Sequence, residues 1–108
     1  MHLLSRSEEI VLLTVWKLQG QAYGVTIREN INTTTGHKWS IGAIYAPLHR
    51  LEKKRLVKTL KGEPVPARGG RSKIFYELTT DGKKALARIR HVNEAIWENV
   101  LSLEVDHV

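Results

Sequence analysis

Arg68 and Arg71 flank Gly69 and Gly70 in the stretch KGEPVPARGGR. Two guanidiniums on a backbone that can bend freely suit phosphate oxygens or a minor groove. They belong to a longer basic tract. Between Lys38 and Lys73 lie ten Lys or Arg (38, 50, 53, 54, 55, 58, 61, 68, 71 and 73) against Glu52 and Glu63, a local net charge of +8; the rest of the chain carries −2, for a total of +6. Positive charge confined to one tract is the electrostatic footprint of polyanion binding, whereas a generically soluble surface intersperses its signs. Other chemistries lack their residues. The chain has no cysteine, and its five histidines (2, 37, 49, 91 and 107) show no metal-ligand spacing. There is no phosphate-binding loop and acids are sparse in the loops, so no enzyme, metal or cofactor is expected.

The element that positions this chemistry is Trp39 to Leu56, WSIGAIYAPLHRLEKKRL. Ser40 is a good helix N-cap, because its hydroxyl can accept a backbone N–H two or three residues on. Ile41, Ile44, Tyr45, Leu48 and Leu51 then make an apolar stripe at helical spacing. The opposite face carries Gly42, Ala43, Ala46, His49, Arg50 and Lys53, small near its start and basic near its end. A helix entering a major groove reads bases with its N-terminal residues while basic groups hold phosphates, so small first-turn side chains admit the backbone. The competing reading is an ordinary amphipathic helix with a solvated basic face. Pro47 should kink this helix, and Arg55 occupies the C′ position where glycine would be easiest.

Before the reading helix, Ser5 to Glu8 forms a Ser-x-x-Glu capping box, predicting a helix from about Arg6 to Leu18 stopped by Gly20. Its apolar residues, Leu12 and Trp16 among them, exceed one packed face, so part of them is expected to meet a second chain. A second helix is predicted from about Val25, broken by Asn32 to Gly36. After the reading helix, Val57 to Leu60 and Ser72 to Leu78 read as a hairpin with Lys61 to Arg71 as its long basic tip. Thr79 or Asp81 can cap a final helix to about Leu103, along which Leu86, Ile89, Asn93, Ile96, Val100 and Leu103 make a seam flanked by Trp97. Its cations come early and its acids late, against the helix dipole. The 108 residues suit one compact unit, with a DNA-binding part at 1–80 and a dimerisation helix at 81–108. No apolar run approaches the roughly 18 residues of a membrane span, and the N-terminus lacks a signal-like apolar region, so a soluble cytoplasmic protein is expected.

YGVTIRENI at Tyr23, GAIYAPLHRLEKKRLV at Gly42, GGRSKIFYELT at Gly69 and Gly82 three residues after Thr79 stand in an order and at distances that resemble the PadR family of bacterial winged-helix transcriptional regulators, in particular its short branch with a single C-terminal dimerisation helix. The resemblance implies a mostly α fold with a small β-hairpin wing, and a homodimer that binds double-stranded DNA, usually as a repressor released by a small effector. Carried onto this chain, it puts Gly42, Ala43 and Ala46 toward the groove, Tyr45 on the DNA backbone, and Arg68, Arg71 and Lys73 on the wing. Together with Lys38, Ser40, His49 and Arg50 these are the expected DNA-binding residues; Leu12, Trp16, Leu86, Ile89, Asn93, Ile96, Trp97, Val100 and Leu103 are the expected dimer interface. Two departures stand out: Ala46 separates the tyrosine from Pro47, and Arg55 replaces the family's usual glycine. Some members of this branch bind planar aromatic drugs at a dimer cleft through a tryptophan of the last helix. That position is Asn93 here, with Trp97 one turn later, so a small aromatic effector is a partner the resemblance suggests without supplying its tryptophan. The rival to DNA binding is a winged helix used only for protein contacts, its basic ribbon docking an acidic partner.

Overall fold

The computed structural model describes residues 3–64, 72–103 and 105. Helices α1 (Arg6–Lys17), α2 (Gly24–Thr35) and α3 (Ile41–Lys53) are followed by strands β1 (Val57–Pro64) and β2 (Ser72–Leu78) and by α4 (Thr80–Trp97). Three helices and an antiparallel two-stranded wing make a winged helix, and α4 is added to it.

Local chemistry sets most of these boundaries. The capping box at α1 forms as expected, with the Ser5 N–H donating to Glu8 Oε1 at 2.8 Å and the Glu8 N–H to Ser5 Oγ at 3.2 Å. Helix α2 outlasts its predicted end: it runs through Asn32 and the threonines to Thr35 and stops at Gly36, whose φ of 75° is left-handed. Burial of Ile27 and Ile31 holds that helix in place, and Asn32 is used for a tertiary contact, its Oδ1 accepting the Trp39 N–H at 2.7 Å. Helix α3 begins where expected, with Ser40 Oγ accepting the Ala43 N–H at 3.1 Å. It runs through Pro47, which is buried.

After α3 the chain closes a Schellman turn. The Leu56 N–H reaches the Leu51 carbonyl at 3.0 Å and the Arg55 N–H the Glu52 carbonyl at 2.9 Å, with Arg55 left-handed at φ 59°. A Cβ in that conformation costs about 1–2 kcal/mol, part of which the greater freedom of unfolded glycine would cancel. Arg55→Gly is therefore expected to stabilise the fold by about 0.5–1 kcal/mol, read as a rise of a few degrees in Tm.

The hairpin pairs Val57 with Leu78, Thr59 with Tyr76 and Lys61 with Ile74, then resumes at Pro64 and Ser72 after an irregularity. The first strand therefore outlasts its predicted end at Leu60, because the partner strand keeps offering ladder positions. The Tyr76 N–H also donates to the Ala22 carbonyl at 2.8 Å, which ties the wing's base to the α1–α2 link. Inside, Val11, Leu12 and Val15 of α1, Ile27 and Ile31 of α2, and Ile44, Leu48 and Leu51 of α3 pack with Val57, Tyr76 and Leu78 of the wing. Leu12 is fully buried in this core and corrects its placement in a dimer interface. Of the predicted stripe on α3, Ile41 and Tyr45 lie at the exposed margin.

Helix α4 is capped by Thr79, whose Oγ1 accepts the Gly82 N–H at 3.0 Å. Gly82 packs so closely on the turn after α3 that a Cβ there would run into the Leu56 carbonyl oxygen. It is the only buried residue of α4; Leu86 and Ile89 are half-buried and every residue from His91 to Trp97 is exposed. The helix also stops short of its predicted end. It ends at Trp97, and Asn99 turns the chain away at φ 63°. Val100 and Leu103 lie beyond it, so the helical seam is only Leu86, Ile89, Asn93 and Ile96. Asparagine tolerates the left-handed region, and the last turn carries no cation to complement the helix dipole.

Candidate nucleic-acid interface

On α3 the core takes Ile44, Pro47, Leu48 and Leu51, which leaves Gly42, Ala43, Ala46, His49, Arg50 and Lys53 exposed together on the other side. Gly42 has open space where a Cβ would stand, with only Ser40 Oγ nearby. Beside this face an open cleft of about 590 Å³ is lined by Lys38, Trp39, Ala43, Ala46 and Arg50 of the α3 region and by Ser7 of α1. The cleft and the small face form one surface, small and apolar in the middle with cations at its edges. Tyr45 lies to one side of it. Its hydroxyl packs where a Cβ on Gly24 would stand, and its ring centroid is 6.2 Å from that of His49.

The positive tract is less free than its sequence suggests. Lys54 Nζ lies 2.7 Å from Glu8 Oε2 and Arg50 Nε 3.6 Å from the same oxygen, while Arg50 Nη2 donates to Ser7 Oγ at 3.4 Å. Lys58 pairs across the hairpin with Glu77 at 3.0 Å. Lys73, expected on the wing's binding surface, donates to the Tyr23 hydroxyl at 3.2 Å and sits 4.4 Å over that ring. Arg68 and Arg71 lie outside the described residues. Sequence reasoning found Glu8 only as a cap; its second role depends on a partner 46 residues away.

Burial works to raise the Glu8 carboxyl, but the Lys54 ammonium and the N–H and hydroxyl of Ser5 outweigh it and hold the group below its ordinary value of 4.5. A depressed folded value means that ionised Glu8 stabilises the fold above about pH 4.5, and that this contribution is lost as pH falls through the folded value. Thermal melts taken downward from pH 5 are expected to show Glu8→Gln losing less stability with acid than the parent chain.

A second surface lies on the α1–α4 side. Leu13, Trp16, Leu78, Leu86 and Ile89 wall a groove of about 620 Å³, with Asn93 at its edge. Lys83 Nζ stands 5.6 Å over the Trp16 ring. Leu13, one step along the helix from the buried Leu12, faces out at 49 % exposure, as does Trp16 at 43 %. The exposed apolar face of α1 is therefore Leu13 and Trp16. Trp97 lies at the far end of α4, also exposed. Among the described residues no group of acids and histidines could hold a metal ion, and no helix is long and apolar enough to cross a membrane.

The profile of the PadR-like family of transcriptional regulators matches residues 12–88, most of the chain and all of α2, α3 and the wing. The chain belongs to the PadR-like family. Solved structures agree on the fold. A PadR family regulator from Clostridium difficile R20291 is 26 % identical, with a TM-score of 0.66 over 86 % of this chain and 92 % of that one. A PadR-like regulator from Bacillus cereus is 22 % identical at a TM-score of 0.69, covering 90 % and 92 %. RosR of H. salinarum is 20 % identical at 0.69, covering 91 % and 81 %. A search of curated proteins returned no match. As a PadR-like winged helix the chain is a DNA-binding transcriptional regulator.

Proposed function

We propose that this PadR-like chain is a homodimeric repressor that reads duplex DNA with α3 and grips its backbone with the wing, residues 1–80 forming the DNA-binding part and 81–108 the dimerisation part. Within it, Gly42, Ala43 and Ala46 approach base edges, Lys38, Ser40, Tyr45, His49 and Arg50 surround them, and Lys73, Arg68 and Arg71 serve the wing. The observation that carries the dimer is α4 itself. An 18-residue helix with one buried residue packs on its own chain only at Gly82, Ala85, Leu86 and Ile89, and every residue of it after these is exposed, whereas most helical stability in proteins comes from tertiary packing of an apolar face. Leu86, Ile89, Asn93, Ile96 and Trp97 with Leu13 and Trp16 offer the missing contact, and Val100 and Leu103 extend it past the helix end. Lys83, Lys84, Arg88 and Arg90 come before Glu94 and Glu98 along α4. Two copies running antiparallel would set each basic half against the partner's acidic half, which accounts for an order that opposes the helix dipole.

A small effector is assigned to the part of the α1–α4 groove that the partner chain leaves open, where the apolar walls carry an indole with a cation over it. The test is selection of bound duplexes from a randomised library. A two-fold symmetric enriched site is expected, because operator symmetry mirrors protein symmetry. Enrichment of a single asymmetric half-site would contradict the dimer, and no enrichment together with capture of an acidic protein would favour the protein-docking reading.

A further inference from the structure

Among the described residues Glu8 is the only buried carboxylate, 3 % exposed, and neither base reading nor dimerisation uses it. Its Oε1 accepts the Ser5 N–H at 2.8 Å, and its Oε2 takes Lys54 Nζ at 2.7 Å with Arg50 Nε at 3.6 Å. Arg50 on α3 and Lys54 at its C-cap are four residues apart, and both reach Glu8 of α1. Arg50 also lines the cleft beside the reading face.

We propose that Glu8 is a positioning residue that tempers the grip on DNA: it holds Arg50 and Lys54 against α1 and so withholds their charge from the phosphates of any duplex. The inference rests on the DNA-binding reading above. Phosphate contacts add affinity to every duplex alike and carry no sequence information. Two free cations beside the reading face would therefore raise binding to operator and random DNA by a similar factor. Capping α1 needs only the Ser5 contact, and the side chains of Lys54 and Arg50 are themselves 39 % and 48 % exposed, where ion pairs add little to stability. A carboxylate set beside the surface that meets a polyanion is costly for affinity. It becomes useful where a regulator has to leave DNA as well as hold it.

The test compares Glu8→Gln, Lys54→Gln and the double variant Glu8→Gln/Lys54→Gln with the parent chain. Each is titrated by fluorescence anisotropy against a library-enriched duplex and a shuffled duplex of the same composition, across a salt series, with a thermal melt to establish folding. Glutamine keeps the volume of Glu8 and an acceptor for the Ser5 N–H. Glu8→Gln is expected to bind the enriched and the shuffled duplex more tightly, each several-fold and by a similar factor, with a salt slope steeper by about one. Lys54→Gln should be shallower than the parent, as Glu8 then leans wholly on Arg50, and the double variant should return close to it. A purely structural Glu8 would weaken both duplexes by one factor at unchanged slope, which overturns the proposal. If Glu8→Gln does not fold, an unchanged slope in Lys54→Gln overturns it just as well. A parent chain that binds neither duplex removes the DNA reading itself, whereas normal parent binding with unmoved variants removes only the role of Glu8.

Discussion

Ile96→Asp is expected to give a folded monomer that no longer holds a two-half-site operator. Ile96 is 67 % exposed in the single chain and lies on α4 beyond its last half-buried residues, so aspartate there disturbs no contact within the protomer. Across a dimer it would place an unpaired carboxylate in an apolar seam, a penalty of several kcal/mol. Since 1.4 kcal/mol is a factor of ten in an equilibrium constant, micromolar protein should dissociate. Light scattering of the parent chain and the variant reads this directly. Operator affinity should fall by orders of magnitude because each half-site is then bound alone. A variant that still scatters as a dimer would move the interface off α4.

The second large effect is expected at the centre of the reading face. Ala46→Glu should abolish duplex binding, since it puts bulk and negative charge where the helix must approach a groove closely. Ala46 is exposed, so thermal stability should change by no more than about 0.5 kcal/mol. Binding by gel shift and melting by circular dichroism separate the two readouts. Unfolding of this variant, or unimpaired binding by it, would displace the reading face from Gly42, Ala43 and Ala46.

Features decided within one turn of chain were legible in the sequence. The Ser5–Glu8 box, the Ser40 and Thr79 caps and the left-handed Arg55 all follow from side-chain and backbone groups a few residues apart. Family motifs extended that reach to the whole winged helix. Most of what was not legible needed a partner distant in sequence. Leu12 and Leu13 are adjacent and equally apolar, and on a helix with apolar residues around most of its circumference periodicity does not say which one faces the core. The structure buries Leu12 and exposes Leu13. The end of α4 was misplaced because Val100 and Leu103 continue the seam's spacing, although Asn99 has already turned the chain out of the helix. The tract's charge was countable, but its neutralisation was not, because Glu8 and Glu77 enter from elsewhere in the chain. The exposed face of α3 was legible because small and basic residues share one side of the helix, opposite Ile44, Leu48 and Leu51.

Binding of the parent chain to a random-sequence duplex across a salt series tests the central claim most directly. A DNA-binding winged helix displaces condensed counterions, so log Kd should rise linearly with log salt, by about 0.9 per phosphate contacted and on the order of 5 for about six contacts in the dimer. Weak binding that does not respond to salt, or no binding at low salt, would contradict the account.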